Sequence, residues 1–201
     1  MLENIPYLSY LLSAFIGIGL AAASGFRVFL PMFAVSLASY FGWIPMNEHF
    51  IWLSGLPTLI TTGIATLAEI LTYYIPYIDH LLDTISVPLA TIAGSVLFAS
   101  QFADLGTFPT WALALIAGGG TAATISSGFA GTRAASTATT GGIGNSLVAT
   151  TETAGAGIMS MLAIFAPIIA FIIAVSLVTI VFVFGKKIWG KLKRTISTDT
   201  F

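Results

Sequence analysis

The sequence predicts an all-α, polytopic helical integral membrane protein of about six spans. Of 201 residues, 57% are hydrophobic and only 7% charged, far below the roughly 25% charged that is usual in soluble domains. Mean hydropathy is +0.98, and the apolar residues fall in runs of about 20, the length that crosses a hydrocarbon core. With 7 basic and 8 acidic residues, the chain lacks the charge that a water-soluble enzyme, a disordered regulator or a nucleic-acid binder would carry. No nucleic-acid partner is expected. The absence of cysteine removes disulfides, thiolate catalysis and zinc–sulfur sites. Two histidines, His49 and His80, are too few for a His-rich metal site. No cofactor is expected, the chain is read as a non-enzyme, and whether it holds a metal stays open.

The first apolar run, 7–23, ends at Ser24-Gly25-Phe26-Arg27, and a second, 28–43, opens with Pro31 close behind. These two form a broken pair, interrupted near 24–31. Glu3 precedes them without any Lys or Arg, the opposite of a signal peptide's basic start. Residues 44–51 carry Pro45, Asn47, Glu48 and His49 between Trp43 and Trp52, as an aqueous loop between interfacial anchors would. A third span covers 53–74, and Pro76 closes it. A fourth, 78–100, places Asp79, His80 and Asp83 in its opening turns, where the helix dipole favours carboxylates.

A fifth span, 108–125, is rich in Gly and Ala, including Gly118-Gly119-Gly120, and small residues let helices approach closely. That triplet is no nucleotide-binding loop, because no strand–turn–helix context accompanies it. The last span is 158–184. Between these two, 126–157 is nearly all Gly, Ser, Thr and Ala. It reads as an aqueous loop or as an interrupted, re-entrant element shielded by protein, since lipid cannot satisfy irregular backbone. Ser24-Gly25-Phe26 recurs as Ser127-Gly128-Phe129 at an offset of 103, and paired interrupted helices are how many transporters build a site. Domain organisation follows as one transmembrane unit, 1–185, and a tail, 186–201. That tail holds five of the seven basic residues: Lys186, Lys187, Lys191, Lys193 and Arg194. The positive-inside rule puts it in the cytoplasm of a cell with this chain in its inner or plasma membrane, and six crossings would put the N-terminus there too.

An ionisable group inside a span costs roughly 2.5–3.5 kcal/mol and needs a partner, a cavity or a task. The candidates are Glu69 within the third span, Asp79 and Asp83 sharing a helix face at i and i+4, Glu152 beyond the glycine-rich stretch, and Arg27 and Arg133 beside the two Ser-Gly-Phe triplets. Four acids against two bases leave −2, which two protons, one divalent or two monovalent cations would neutralise. The first expectation is therefore a small membrane transporter or channel-like protein binding a cation or protons at Glu69, Asp79, Asp83 and Glu152, with the side-chain oxygen of Asn145 as a further ligand and Arg27 and Arg133 balancing charge. Two alternatives stay open. The arginines and the amides of 139–146 could hold an anionic solute, headgroup or phosphate; or the charges are structural ion pairs, Glu69 with Arg27 or Arg133 among them, in a non-transporting scaffold or subunit. Asp79 and Asp83 also fit a headgroup-level helix start. The partners expected are the lipid bilayer and a small ion or anionic solute, with a homodimer open.

As a set, Glu69, Ile75-Pro76, Asp79, Asp83, Pro88 and Ala93-Gly94, flanked by Ala22-Ala23-Ser24-Gly25-Phe26-Arg27, Leu30-Pro31, Arg133, Asn145 and Glu152, resemble the uncharacterised membrane-protein family called domain of unknown function 4126. The likeness covers most of residues 10–185. It departs at Tyr73-Tyr74, where an acid is expected before the Ile-Pro, and at Thr151 before Glu152. The resemblance implies a polytopic helical membrane protein with no assigned activity, and it implies that the six ionisable residues recur together.

Overall fold

The computed structural model describes the chain apart from residues 1–5, 47, 76–77, 103–105 and 199–201, and apart from the side chains of 6–7, 78–81 and 188–198. All regular structure in the described residues is helical: α1 (Pro6–Phe26), α2 (Phe29–Tyr40), a 3-10 helix (Glu48–Ser54), α3 (Leu56–Thr72), α4 (Ile78–Ala99), α5 (Thr107–Leu113), a π-helical segment (Ala114–Gly119), α6 (Gly120–Thr140), α7 (Asn145–Phe165) and α8 (Pro167–Thr198). Five stretches are long and apolar enough to cross a membrane: Leu8–Phe26, Leu82–Ala99, Thr107–Thr140, Asn145–Phe165 and Pro167–Lys187. The 3-10 helix and α3, bent by 62° at Gly55, make a sixth if taken as one broken span.

Helix α1 is the hub. It packs against α4, α6, α7 and α8, so Leu20 to Ala23 have no exposed surface. Contact is close because the facing residues are small. A Cβ at Gly94 of α4 would stand 2.6 Å from Ala122 Cβ, and one at Gly118 in the π-helical segment would stand 2.7 Å from Gly94 O. At Gly25 of α1 a Cβ would meet Ile125 at 2.6 Å. Bulk is kept for the outside: Ile60, Ile64, Leu67 and Leu71 on α3, and Ile168, Ile172 and Phe182 on α8, are all more than half exposed, as a surface solvated by lipid tails requires.

The break expected near 24–31 lies at Arg27 and Val28. Pro31 explains it, since it brings no N–H and its ring crowds the carbonyl four residues back, that of Arg27. The interruption expected within 126–157 is the four-residue turn 141–144, where Gly141 and Gly142 take positive φ of 65° and 92°, a conformation only glycine adopts at no steric cost. On either side of that turn the stretch is regular helix, so it is not the aqueous loop of the alternative reading. Ser127-Gly128-Phe129 sits inside unbroken α6, so Arg133 is not beside a helix break as Arg27 is. The similarity of the two triplets has a different outcome: Phe26 and Phe129 pack ring to ring at 4.9 Å. The run 158–184 is two helices rather than one span, parted at Ala166 (φ −142°, ψ 64°) with Pro167 as the first residue of α8.

Helix directions follow from the contacts. Gly17 meets Phe98 and Ala21 meets Gly94, while Gly19 meets Ala163 and Phe26 meets Gly155, so α4 and α7 run antiparallel to α1. Phe15 meets Phe171 and Gly128 meets Val181, so α6 and α8 run with it. The start of α1 and the end of α8 therefore lie at opposite ends of the bundle. Six crossings would have put them together. Counted with the short apolar α2 and the broken span, the additional helix α7 supplied by the small-residue stretch makes seven passages, and this reverses the parity.

Candidate functional site

Helices α1, α3 and α6 end, and α4 and α7 begin, at the same end of the bundle, and their ionisable residues converge there. Arg27 (1% exposed), Arg133 (3%) and Glu152 (2%) are buried. Arg133 Nε donates to Glu152 Oε1 at 2.9 Å and its Nη2 donates to Glu152 Oε2, a two-pronged pair of the kind that fixes guanidinium geometry. On its other edge Arg133 Nη1 stands 3.1 Å from Asp83 Oδ1. Arg27 Nη2 donates to the carbonyl of Ala149 at 2.9 Å, its Nε donates to Thr153 Oγ1 at 3.2 Å, and Glu152 Oε2 lies 3.6 Å from Nη2. Arg27 Nη1 is buried without a hydrogen-bond acceptor among the described residues.

Between the two arginines stands Tyr73, the residue that follows α3. Its ring centroid is 3.9 Å from the Arg27 guanidinium carbon and 4.0 Å from that of Arg133, so one ring serves two cations. The position at which the family resemblance leads one to expect an acid thus holds an aromatic group that takes the arginines by its π-electrons. Tyr73 and Thr153 complete the centre and were not among the sequence candidates. The doubled aromatic Tyr73-Tyr74 close to a run of ionisable residues is the one sequence signal that points to the former.

Glu69 is not in the ion pair with Arg27 or Arg133 that the scaffold alternative expected. It makes no ion pair within 4.0 Å among the described residues. Instead Oε1 accepts the N–H of Val28 at 2.8 Å and Oε2 the N–H of Phe29 at 3.0 Å. These are amides left without partners where α1 stops, and a carboxylate there is favoured by the dipole of α2. Arg27 and Arg133 lie near enough to act on its charge.

Asn145 is joined to the α6 arm of the centre through Thr137. It opens α7, seven residues before Glu152 and about 10 Å along the axis at the ordinary helical rise, and its Nδ2 donates to Thr137 Oγ1 at 3.0 Å, which ties the two arms of the α6–α7 hairpin. The side chain of Asp79 lies outside the described residues. Among the described residues no three His, Asp or Glu side chains gather in a way that could hold a metal ion. Two cavities reach the centre. One of about 280 Å³, between α2, α3 and α4, is lined by Val28, Phe29, Glu69, Tyr73, Leu82 and Ser86 among others. The second, about 470 Å³, opens on Asp83, Arg133 and Thr137.

All of these residues fall within 14–187, which match the family described as Domain of unknown function (DUF4126). The chain belongs to this family. None of the curated proteins and none of the solved structures is a match. Membership supports the helical membrane architecture and assigns no chemistry, so the chemistry of this DUF4126 protein rests on the geometry of its charge centre.

Proposed function

We propose that this protein is a small membrane transporter or channel-like carrier that binds a small anionic solute at the charge centre where α1 gives way to α2. The observation that carries the reading is Arg27: a guanidinium 1% exposed, at an interrupted helix, with one N–H edge lacking an acceptor. A buried donor left open costs about 1–3 kcal/mol or more when charged, and an anion supplies the missing charge-assisted bond. The described carboxylates are already engaged, Glu152 by two guanidinium groups, Asp83 by Arg133 and Glu69 by two amides. A bare cation would have to displace one of these to gain a ligand, so a cation at the carboxylates is the weaker form of the same reading. The exposed Lys186 and Lys187 lie on α8 toward the same end as the centre. By the positive-inside rule that end faces the cytoplasm, from an inner or plasma membrane.

The two-pronged Arg133–Glu152 pair favours a second reading, a non-transporting scaffold in which the centre only clasps five helices. A thermal-shift panel of the detergent-purified chain separates the two, because a solute that binds the folded state raises the apparent melting temperature by mass action. We expect a shift with carboxylate or phosphate anions, none with sodium, potassium or magnesium chlorides, and loss of the shift in Arg27→Gln. A flat panel for every anion, with Arg27→Gln merely less stable, selects the scaffold.

A further inference from the structure

We propose that the solute is a small acid with an apolar tail, and that it binds together with one proton taken up by Glu69, whose carboxylate competes for the same two amides of α2. This rests on the anion reading above and goes beyond it in naming the class of solute and the coupling. The shape of the cavity beside Glu69 gives the class. Its polar groups, Glu69, Thr72, Tyr73 and Ser86, occur with a longer apolar wall that includes Val28, Phe29, Ala65, Leu82 and Leu89. About 280 Å³ accommodates a head the size of a carboxylate and a body of several carbons, and the apolar walls disfavour a fully hydrated inorganic ion.

Charge balance gives the proton. Arg27 and Arg133 carry +2, and Asp83, Glu152 and Glu69 carry −3, so the described centre is −1 when all are ionised. A carboxylate added to it would bring −2 into a buried place, where like charges interact strongly, and one proton restores the balance. Glu69 is the acid that takes it. Protonating Glu152 or Asp83 would give up a guanidinium pair, whereas Glu69 gives up only an amide bond. A neutral Glu69 keeps one oxygen on one N–H and frees the other N–H for the incoming carboxylate. The charged groups around Glu69 are Arg27 in the break after α1 and Arg133 from α6, with Asp83 of α4 and Glu152 of α7 paired to Arg133. Tyr73 follows its own helix, and α2 contributes only amides. The step is acid anion plus proton to bound acid, with the proton on a Glu69 oxygen and no covalent bond otherwise changed.

The experiment is titration calorimetry of the full chain in detergent with butyrate, benzoate and oleate, in two buffers of different ionisation enthalpy. We expect one proton taken up per acid bound and an affinity that falls about tenfold per pH unit by linkage, with inorganic phosphate and chloride at least tenfold weaker than benzoate. In Glu69→Gln, which keeps an acceptor for one amide and carries no charge, binding becomes independent of pH; in Asp83→Asn the pH slope stays. An optimum at butyrate or benzoate marks an acid drawn from water, and one at oleate an acid drawn from the bilayer. If acids bind with no proton uptake, or the slope survives in Glu69→Gln, the coupling is wrong while the anion reading stands. If inorganic phosphate binds as well as benzoate, the apolar-tail assignment is wrong. If the wild type binds no acid at any pH, both fall. The proton count on wild type decides the matter even where Glu69→Gln fails to fold.

Discussion

Glu69 accepts the amide N–H of Val28 at 2.8 Å across 41 residues of chain, so the carboxylate that holds the start of α2 comes from another helix. Local capping uses a side chain at the helix's own first residue. Here that residue is apolar, because it faces the bundle, and α3 provides the acceptor instead. Removing it should cost what a lost cap costs, about 0.5–2 kcal/mol. Unfolding of Glu69→Ala in detergent should show that loss and Glu69→Gln a smaller one. Equal stability of all three would mean that the two bonds hold nothing.

Breaking the Arg133–Glu152 pair from one side leaves a buried guanidinium facing Arg27 as well. Glu152→Ala should therefore lose about 3–5 kcal/mol, and Arg133→Met with Glu152→Met together should lose less than the sum of the two singles. Additive losses in that cycle would show that the two residues do not act as a pair.

The sandwich of Tyr73 depends on its ring and not on its hydroxyl. Tyr73→Phe should retain nearly full stability, and Tyr73→Leu should lose about 1–2 kcal/mol as two cation–π contacts go. Thermal unfolding of the two variants side by side decides this, and a Phe variant as unstable as the Leu variant would shift the weight to the hydroxyl.

Close backbone approach between α4 and the π-helical segment should make Gly118→Ala destabilising by about 1–3 kcal/mol through overpacking, since its Cβ would stand 2.6 Å from Phe98 Cβ. Gly131 of α6 has nothing within 4 Å. There the change to Ala should stabilise by about 0.5–1 kcal/mol through helix propensity. The pair of variants controls for each other, and matching signs would contradict the packing.

The cysteine-free chain suits single-cysteine labelling. Cysteines at Ile143 and Lys187 should react with an impermeant maleimide from one side of the membrane, and a cysteine at Trp52 from the other. Labelling of Ile143→Cys and Trp52→Cys from the same side would overturn the helix directions.

Much of this was legible in the residues. Arg27 followed by Pro31 announces the first break, and ionisable residues in an apolar chain are so few that Arg27, Arg133, Glu152, Asp83 and Glu69 stand out. Their pairing was not legible, because partners 126 residues apart, as Arg27 and Thr153 are, are joined only by packing. Residues 126–157 left an aqueous loop open as an alternative for a physical reason: Gly, Ser, Thr and Ala look like loop when propensity is read locally, yet small side chains are what an inner membrane helix needs to pack.

The central claim is that the charge centre binds an anion rather than merely clasping helices. The most direct test is equilibrium binding of radiolabelled benzoate to the purified chain at about pH 5 and about pH 8, since uptake of a proton with the acid makes the affinity depend on pH. Saturable binding of one benzoate per chain is expected, tighter at the lower pH, competed by butyrate and abolished in Arg27→Gln. Absence of saturable binding at both values, in a wild-type protein that remains folded, would contradict it.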